Sequence, residues 1–334
     1  MKVCVVGAGA IGGFVGVQLA LAGVDVNVVA RGEHLAAIRS RGLRLEIDGE
    51  TRCARVSATD DPAQLGSQDY VFIAVKAHQI APMVDALKPL LGAQTAVVTA
   101  SNGLPYWYFA GDVPYAGTTL ASVDPGGVQW RVLGAERAIG CVVLPASEVI
   151  APGVIRHEHG RKFPIGEPDG RPSARVQALH DLMVAAGLEA PIRSDIRDEI
   201  WLKLTGNVCL NPISALTQAT VDVVATDPGT RAVCEAMMNE TRAIGERLGL
   251  RMRVDVRRRL DGAAALGPHK MSMLQDLEHG KSMEVDALVG VVSELGRLTH
   301  VPTPIVDVLL ALIRQRAASL AALHTPGAGI RHAA

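Results

Sequence analysis

Apolar residues form short continuous runs in the first part of the chain and recur at helical spacing in the last part. The short runs predict buried strands at 2–6, 25–30, 43–47, 70–75 and 95–99. The segments between them predict helices from the end of the first strand to about residue 22, at 33–40 and at 78–91. Alternating strands and helices indicate a parallel sheet with right-handed crossovers.

The pattern changes at residue 102 and again at residue 173. Between these points, turn signals such as Asp-Pro-Gly-Gly at 124–127 separate short Val-rich runs. This predicts antiparallel strands and loops appended to the sheet. After residue 173 one strand is predicted, at 188–192, and helical spacing otherwise dominates. It predicts helices at 173–186, 195–218, 227–248, 253–266, 283–299 and 303–322. The Gly-rich tail at 324–334 is predicted to be flexible.

Composition narrows the class of protein. A chain of 334 residues exceeds the usual size of a single core, so two domains are expected. The net charge is −1 and aromatic residues make up 3%, which argues against nucleic acid and anionic membranes as partners. Five scattered cysteines show no metal-type spacing, which predicts reduced thiols and a cytoplasmic location.

Residues 3–24 contain one polar side chain, Gln18, and so imitate a signal peptide or a membrane span. The glycines in this stretch indicate another origin. They include the pattern Gly7-Ala8-Gly9-Ala10-Ile11-Gly12, which directly follows a predicted strand and opens a predicted helix. In this context the pattern is typical of dinucleotide binding.

Each glycine of the pattern has a separate physical role. Gly7 allows the tight turn, Gly9 lets the backbone approach a pyrophosphate, and Gly12 lets the helix pack close to the sheet. The anion then binds free amides at the positive end of the helix. We therefore predict an α/β fold with an N-terminal Rossmann-type, doubly wound sheet domain over 1–193. An all-helical C-terminal domain is predicted over 194–323.

Three polar residues follow the predicted strands of this sheet. Arg31 comes after the second strand, where a guanidinium suits the 2′-phosphate of NADP(H). Glu33 lies close by and could instead bond a ribose hydroxyl. Lys76 follows the predicted strand at 70–75, and Asn102 follows the one at 95–99. Ligands bind at the carboxyl ends of strands in such folds, although a solvated lysine and a simple Asn-Gly turn are the ordinary alternatives.

The helical part contains two candidate groups of polar residues. Lys203, Asn207 and Asn211 are spaced four residues apart and share one helix face. A partly desolvated lysine can donate a proton to a forming alkoxide, but from spacing alone an amphipathic helix with local caps is equally favoured. Ser272 and Glu284 could bind a substrate, although each taken alone is more typical of a helix cap or a surface acid.

Taken together, these residues resemble the ketopantoate reductase family over nearly the full length of the chain. The resemblance includes Val75-Lys76-Ala77, Asn102-Gly103, Trp201-Leu202-Lys203-Leu204, Asn211-Pro212, Ser272-Met273-Leu274-Gln275-Asp276 and Glu284-Val285-Asp286. It implies NADPH-dependent reduction of a 2-keto acid, with 2-dehydropantoate giving (R)-pantoate in pantothenate and coenzyme A biosynthesis. It also implies an active site in the cleft between the two domains.

The resemblance assigns roles to the matching residues. It implies that Lys203 is the general acid, that Arg31 and Lys76 contact NADPH, and that Asn102 lies where nicotinamide and substrate meet. The substrate would be held by Asn207, Asn211, Ser272 and Glu284. No metal is implied, and a homodimer is a further possibility.

Two departures from the family pattern leave the substrate open. A further substrate-binding Asn of some members falls at Val221, and the connection after Asn102 is longer than usual. This segment, about 104–138, holds six of the eleven aromatic residues. As a lid it would favour a bulkier or aromatic 2-keto acid; as a packing or dimer surface it would leave the chemistry unchanged. A third hypothesis is a dinucleotide-binding sensor without turnover, against which the retained Lys203 argues.

Overall fold

The computed structural model describes residues 1–251 and 253–323, so the predicted flexible tail lies outside the described residues. The chain divides into two compact units, residues 1–200 and a second unit that begins at Trp201. The first unit is an α/β structure. Its strands are β1 (Lys2–Val6), β2 (Asp25–Val29), β3 (Leu43–Ile47), β4 (Glu50–Ala54), β5 (Ser57–Thr59), β6 (Gln68–Ile73), β7 (Leu91–Thr99), β8 (Ala138–Cys141), β9 (Ala146–Ala151), β10 (Val154–His159) and β11 (Ile165–Gly166). Its helices are α1 (Ala10–Leu21), α2 (Gly32–Arg41), α3 (Ala77–Met83), α4 (Val128–Leu133) and α5 (Ala174–Ala185).

The main sheet has the strand order β11-β8-β7-β6-β1-β2-β5. All neighbouring pairs are parallel except β11 with β8. From β1 the chain runs to β2 on one side and later to β6 on the other, which is the doubly wound arrangement predicted from the sequence. The fold class is therefore confirmed.

A second sheet, which the sequence analysis did not foresee, has the order β4-β3-β10-β9. The strand at 43–47 belongs to it, so placing that strand in the parallel sheet was wrong. The antiparallel hairpin β9–β10 also joins this sheet through parallel pairing of β10 with β3, whereas β8 joins the main sheet. The segment 102–170 is therefore divided between two sheets. The sequence did not predict this division, because the apolar runs of the segment are too short to identify their partner strands.

Helix α1 lies between the two sheets. Side chains could not be accommodated at two neighbouring glycines: an ideal Cβ on Gly12 would lie 2.9 Å from Cγ1 of Val5 in β1. One on Gly13 would lie 2.5 Å from Cγ1 of Ile155 in β10. All residues from 12 to 19 are buried, and Gln18 donates to the carbonyl of Ala186 (3.1 Å). Burial on both faces explains the apolar stretch. Among the described helices, none is long and apolar enough to cross a membrane.

Two elements of the first unit differ in the structure from their predicted form. The helix predicted at 78–91 is α3 followed by a 3-10 helix, Val84–Leu90, because Pro82 and Pro89 lack the N–H that a continuous α-helix needs. The strand predicted at 188–192 was wrong. That segment is extended but makes only isolated bridges, from Glu189 to Lys162 and from Ile192 to Ile165.

In the described residues of the second unit, the regular secondary structure is helical. Its helices are α6 (Ile196–Thr217), the first five residues of which belong to the first unit, α7 (Val221–Thr226), α8 (Pro228–Arg247), α9 (Val256–Ala264), α10 (Ser272–Glu278), α11 (Val291–Thr299) and α12 (Pro304–Leu323). Helices α7 and α10 were not predicted, since each is too short to give a clear apolar period. The helix predicted at 283–299 starts with a π-helical turn, Asp286–Gly290.

Candidate functional site

The carboxyl ends of four neighbouring parallel strands form one edge of the main sheet. The pairs Val6 with Val29, Val6 with Ile73 and Ile73 with Thr99 place the ends of β1, β2, β6 and β7 level with one another. Every coenzyme-binding residue predicted in this unit follows one of these strand ends: the turn 7–12, Arg31, Lys76 and Asn102. The sequence order and the topology therefore bring them to one sheet edge.

The glycine-rich turn has the geometry that its three glycines predict. Gly7 has a φ of +94°, and its amide donates to the carbonyl of Val29 (2.9 Å). An ideal Cβ on Gly12 would lie 1.9 Å from the carbonyl oxygen of Gly7, so only glycine lets the helix sit this close. An ideal Cβ on Gly9 would meet nothing within 4 Å. The open space at Gly9, beside the start of α1, is where an anionic group fits.

Two of the polar residues of the edge, Arg31 and Lys76, stand directly before the helices that follow their strands, whereas Asn102 lies in a loop. Arg31 is exposed and precedes the first residue of α2, with an extended backbone. Lys76 is half-buried and holds the same position before α3. Asn102 is half-buried, and Gly103 after it has a φ of +86°. The Arg31 guanidinium is exposed to solvent, where it can reach a phosphate, and Glu33 is exposed two residues further along the chain.

A small cleft opens beside Asn102. It is lined by Thr99, Ser101, Gly103, Pro105, Cys141 and Ile200. Pro105 belongs to the aromatic insert, so the insert contributes a proline to this wall and not an aromatic ring.

The aromatic insert packs into the first unit. Tyr106, Trp107, Tyr108 and Phe109 are all buried, and Trp107 is fully so. The Trp107 indole donates to Oγ1 of Thr99 (3.3 Å), and an ideal Cβ on Gly140 of β8 would lie 3.0 Å from the Trp107 ring. These contacts favour the packing interpretation of the segment over the lid.

Arg197 binds the insert to the start of α6. Its guanidinium donates to the carbonyls of Tyr108 (2.9 Å) and Pro168 and lies 5.9 Å from the centre of the Trp107 ring. In return the Tyr108 hydroxyl donates to the carbonyl of Arg197 (3.1 Å). Burial lowers the pKa of Arg197 and raises that of Tyr108. This reciprocal pair had no sequence signal, because its members are 89 residues apart.

In the second unit the structure joins two of the predicted substrate residues. Asn211 is buried in α6, and its Oδ1 accepts hydrogen bonds from the Ser272 hydroxyl (3.2 Å) and the Met273 amide (3.3 Å). Asn211 therefore satisfies one backbone amide at the start of α10, that of Met273, as a capping side chain does. Ser272 itself is the first residue of α10 and not its cap, which corrects the capping alternative for this serine.

The remaining predicted residues of this unit differ in exposure. Lys203 and Asn207 are half-buried on the same face of α6 as Asn211. Glu284 is buried, which rules out the surface-acid interpretation. Val221 is fully buried, and its amide donates to the carbonyl of His269 (2.9 Å). It therefore fills the core of the second unit.

Sequence reasoning missed one residue that contacts the glycine-rich turn. His34 lies in the first turn of α2, and its Nε2 is 2.6 Å from the carbonyl oxygen of Ala8. A single histidine within an ordinary amphipathic helix gives no signal of this contact.

A glycine-rich turn at the carboxyl edge of a doubly wound sheet defines the class of Rossmann-type dinucleotide-binding proteins. Comparison with known proteins narrows this class. The family pattern described as "Ketopantoate reductase PanE/ApbA" matches residues 3–170, and its "C terminal" companion matches residues 195–317. The chain belongs to the ketopantoate reductase family, a family of oxidoreductases that use a nicotinamide cofactor.

Individual relatives match over nearly the whole chain. A 2-dehydropantoate 2-reductase from Mesorhizobium japonicum is 54% identical over 319 residues, which cover 95% of this chain and 98% of that protein. The crystal structure of a candidate ketopantoate reductase from Ralstonia solanacearum has a TM-score of 0.92 at 43% identity, covering 95% of this chain and 98% of that one. A D-mandelate dehydrogenase with NADH and anilino(oxo)acetate shares the fold, with a TM-score of 0.84 at 20% identity and coverage of 96% and 99%.

Proposed function

We propose that this chain reduces 2-dehydropantoate to (R)-pantoate with NADPH. The observation that carries the proposal is the 54% identity with a 2-dehydropantoate 2-reductase across 95% of the chain. The two family patterns, which match residues 3–170 and 195–317, cover the glycine-rich turn and the helices that hold the predicted substrate residues. A reaction of this kind belongs to pantothenate biosynthesis, which supports the expected cytoplasmic location. A homodimer stays a prediction.

The first unit would bind the coenzyme. The space at Gly9 and the free amides at the start of α1 suit the pyrophosphate, and the exposed Arg31 suits a 2′-phosphate. Lys76 and Asn102 would bind the remaining coenzyme groups from the same sheet edge. Arg31 therefore favours NADPH, since a guanidinium gains more from a phosphate dianion than from a hydroxyl.

The second unit would bind the keto acid and supply the proton. The bound nicotinamide supplies the hydride, which adds to the C2 carbonyl carbon. The Lys203 ammonium would donate a proton to the carbonyl oxygen as negative charge develops there. Asn207 and Ser272 would hold the substrate by hydrogen bonds, Asn211 would fix Ser272 in place, and Glu284 would accept a hydrogen bond from the substrate hydroxyl.

No observation favours an aromatic keto acid as a second candidate. The aromatic residues at 106–109 are buried within the first unit, so these four rings are used in packing. The likeness to mandelate dehydrogenase concerns the fold alone. Membership of an oxidoreductase family also favours an enzyme over a dinucleotide sensor.

Steady-state oxidation of NADPH tests the proposal. We expect the purified chain to show a higher kcat/KM with 2-dehydropantoate than with 2-oxobutanoate, 2-oxoisovalerate or phenylglyoxylate, and a lower KM for NADPH than for NADH. In the Arg31→Ala variant the preference for NADPH should fall and turnover at saturating coenzyme should persist. A preference for phenylglyoxylate would contradict the proposed substrate, and tight NADPH binding without turnover of any keto acid would support the sensor instead.

A further inference from the structure

His34 connects the glycine-rich turn to the second sheet. It lies half-buried in the first turn of α2, three residues after Arg31. Its Nε2 is 2.6 Å from the carbonyl oxygen of Ala8, inside the turn. Its Nδ1 is 3.0 Å from the amide nitrogen of Gly153, in the turn between β9 and β10. One imidazole ring thus contacts two backbone segments that are 145 positions apart in sequence.

The two contacts fix the protonation of the ring. A carbonyl oxygen can only accept a hydrogen bond, so Nε2 must carry a proton and donate it to Ala8. A backbone amide can only donate, so Nδ1 must be unprotonated and accept from Gly153. The structure therefore requires the neutral ring with its proton on Nε2. The ring satisfies two backbone groups at once, and its own two nitrogens are also satisfied.

The bond to Ala8 bears directly on the anion-binding geometry. The peptide group between Ala8 and Gly9 is planar and trans, so the Gly9 N–H points opposite to the Ala8 carbonyl. Holding that carbonyl against His34 directs the Gly9 amide away from the imidazole. Gly9 precedes α1, and its own carbonyl accepts the first helical bond, from Gly13 (2.7 Å). The Ala8–Gly9 peptide therefore comes directly before the peptide that accepts the first hydrogen bond of α1.

The second contact gives the histidine a rigid support. Gly153 has a φ of +76°, and an ideal Cβ there would lie 3.1 Å from Cβ of Ala37 in α2. The turn between β9 and β10 therefore packs directly on α2. The Gly153 carbonyl also accepts from the Arg44 amide of β3 (2.9 Å). The imidazole is thus held from the second sheet while it holds the turn of the main sheet.

We propose that His34 is a positioning residue for the dinucleotide turn: it orients the Ala8–Gly9 peptide for the pyrophosphate and is itself held by Gly153. This inference rests on the proposed NADPH binding. It makes the second sheet a structural support of the coenzyme site. The start of α2 then has two roles: Arg31, directly before the helix, would bind the 2′-phosphate, and His34, in its first turn, would orient the glycine-rich turn.

Two amide substitutions separate the two bonds of the ring. In His34→Gln the side-chain Nε2 occupies nearly the position of the imidazole Nε2 and can still donate to Ala8. In His34→Asn the Oδ1 lies near the position of Nδ1 and can still accept from Gly153, but the shorter side chain does not reach Ala8. His34→Ala removes both bonds. The measured quantity is the Kd for NADPH, from quenching of protein fluorescence or calorimetry.

We expect His34→Ala and His34→Asn to raise the Kd for NADPH about tenfold, the effect of one ordinary hydrogen bond. His34→Gln should stay within about twofold of the wild type. At saturating NADPH all three variants should keep a kcat near that of the wild type, because none changes a residue proposed to touch the substrate. His180→Ala is the matched control. His180 bonds the carbonyl of Ala190 (2.8 Å) in the same unit, so its loss should lower the Tm and leave the Kd unchanged.

The outcomes distinguish this inference from the function on which it rests. Equal Kd values for the Gln and Asn variants, or a Kd that simply follows the Tm across all variants, would overturn the positioning role and leave NADPH binding intact. A wild-type chain that does not bind NADPH at all would overturn both. Rescue by Gln and not by Asn supports the proposal, since a purely structural role does not discriminate between the two bonds in coenzyme affinity.

Discussion

The glycine-rich turn of the first unit and the polar cluster of the second unit are built in different ways. The turn uses backbone groups from six consecutive residues, and its glycines matter for the side chains they lack. The cluster uses side chains, and two of them that are hydrogen-bonded to each other, Asn211 and Ser272, are 61 residues apart in sequence. The glycine-rich turn depends on the absence of side chains at its glycines. The polar cluster depends on hydrogen bonds between segments that are distant in sequence.

This difference determines which properties a substitution in each region should change. Adding a methyl group at Gly12 of the turn creates a steric conflict that affects folding and coenzyme binding together. Removing a side chain from the cluster leaves the backbone in place and changes the reaction or substrate binding. Substitutions that separate coenzyme affinity, turnover and stability therefore test whether the two regions have the separate roles proposed for them.

The largest effect is expected for Lys203→Ala. Loss of a general acid typically lowers kcat by about 10²- to 10⁴-fold, because no group then protonates the forming alkoxide. The Kd for NADPH should stay near the wild-type value, since the coenzyme residues lie in the other unit. The measurements are kcat from NADPH oxidation and Kd from fluorescence.

Lys88→Ala is the control for this lysine. Lys88 is exposed and pairs with Asp85 on the surface, so its removal should change neither quantity. A Lys203→Ala variant with wild-type turnover would refute the assigned acid.

The next largest effect concerns stability and the aromatic insert. Trp107→Ala should lower the free energy of unfolding by about 3–5 kcal/mol, because it leaves a cavity at a fully buried site and removes the bond to Thr99. Trp107→Phe should cost less, since it keeps much of the ring volume. Denaturant unfolding gives the energies, and Tyr115→Ala, at an exposed aromatic of the same segment, is a near-neutral control.

The same variants test whether the first unit selects the keto acid. If the insert only packs, the relative kcat/KM values across a keto-acid panel should be the same in Trp107→Phe as in the wild type. If the relative kcat/KM of that variant shifted toward aromatic keto acids, the result would support the lid hypothesis. The first unit would then also take part in substrate recognition.

Two glycine substitutions sharpen the contrast within the turn. Gly12→Ala should destabilise the protein by about 1–3 kcal/mol and abolish tight NADPH binding, because its Cβ would lie 1.9 Å from the Gly7 oxygen. Gly9→Ala should keep the wild-type Tm and still weaken NADPH binding, since its Cβ enters only the open space. Thermal unfolding and NADPH titration of the two variants distinguish an effect on helix packing from an effect on the space that the coenzyme enters. A Gly9→Ala variant with unchanged coenzyme affinity would contradict the placement of the anion.

The turn and the sheet edge were largely predictable from the sequence because their information is local. A strand, three glycines and a helix within about twenty residues define the geometry, and parallel strand ends meet at one edge. Lys76 and Asn102 could be assigned to that edge from strand order alone. The positions of Lys203, Asn207 and Asn211 on one face likewise followed from helical spacing.

The rest depended on contacts between distant segments. The second sheet arises because β10 pairs with β3 about 110 residues away, and nothing in either run specifies the partner. The capping of α10 by Asn211, the pairing of Arg197 with Tyr108 and the contact of His34 with Ala8 are of the same kind. Each is a hydrogen bond that local propensity does not encode, so the sequence reveals the residues but not their partners.

The smallest effect is expected for Asn211, and it tests the cluster most directly. Asn211→Ala leaves the Ser272 hydroxyl and the Met273 amide without their acceptor, at a cost of about 1–2 kcal/mol, as for the loss of a helix cap. Because Ser272 then loses its fixed orientation, the KM for the keto acid should rise while the Kd for NADPH stays unchanged. Asn211→Asp keeps an acceptor at the same position and should recover most of the stability. Asn239→Ala, at an exposed asparagine of α8, is the control for amide loss in the same unit. If Asn211→Ala weakened NADPH binding as much as keto-acid binding, the division between a backbone-built coenzyme region and a side-chain-built substrate region would not hold.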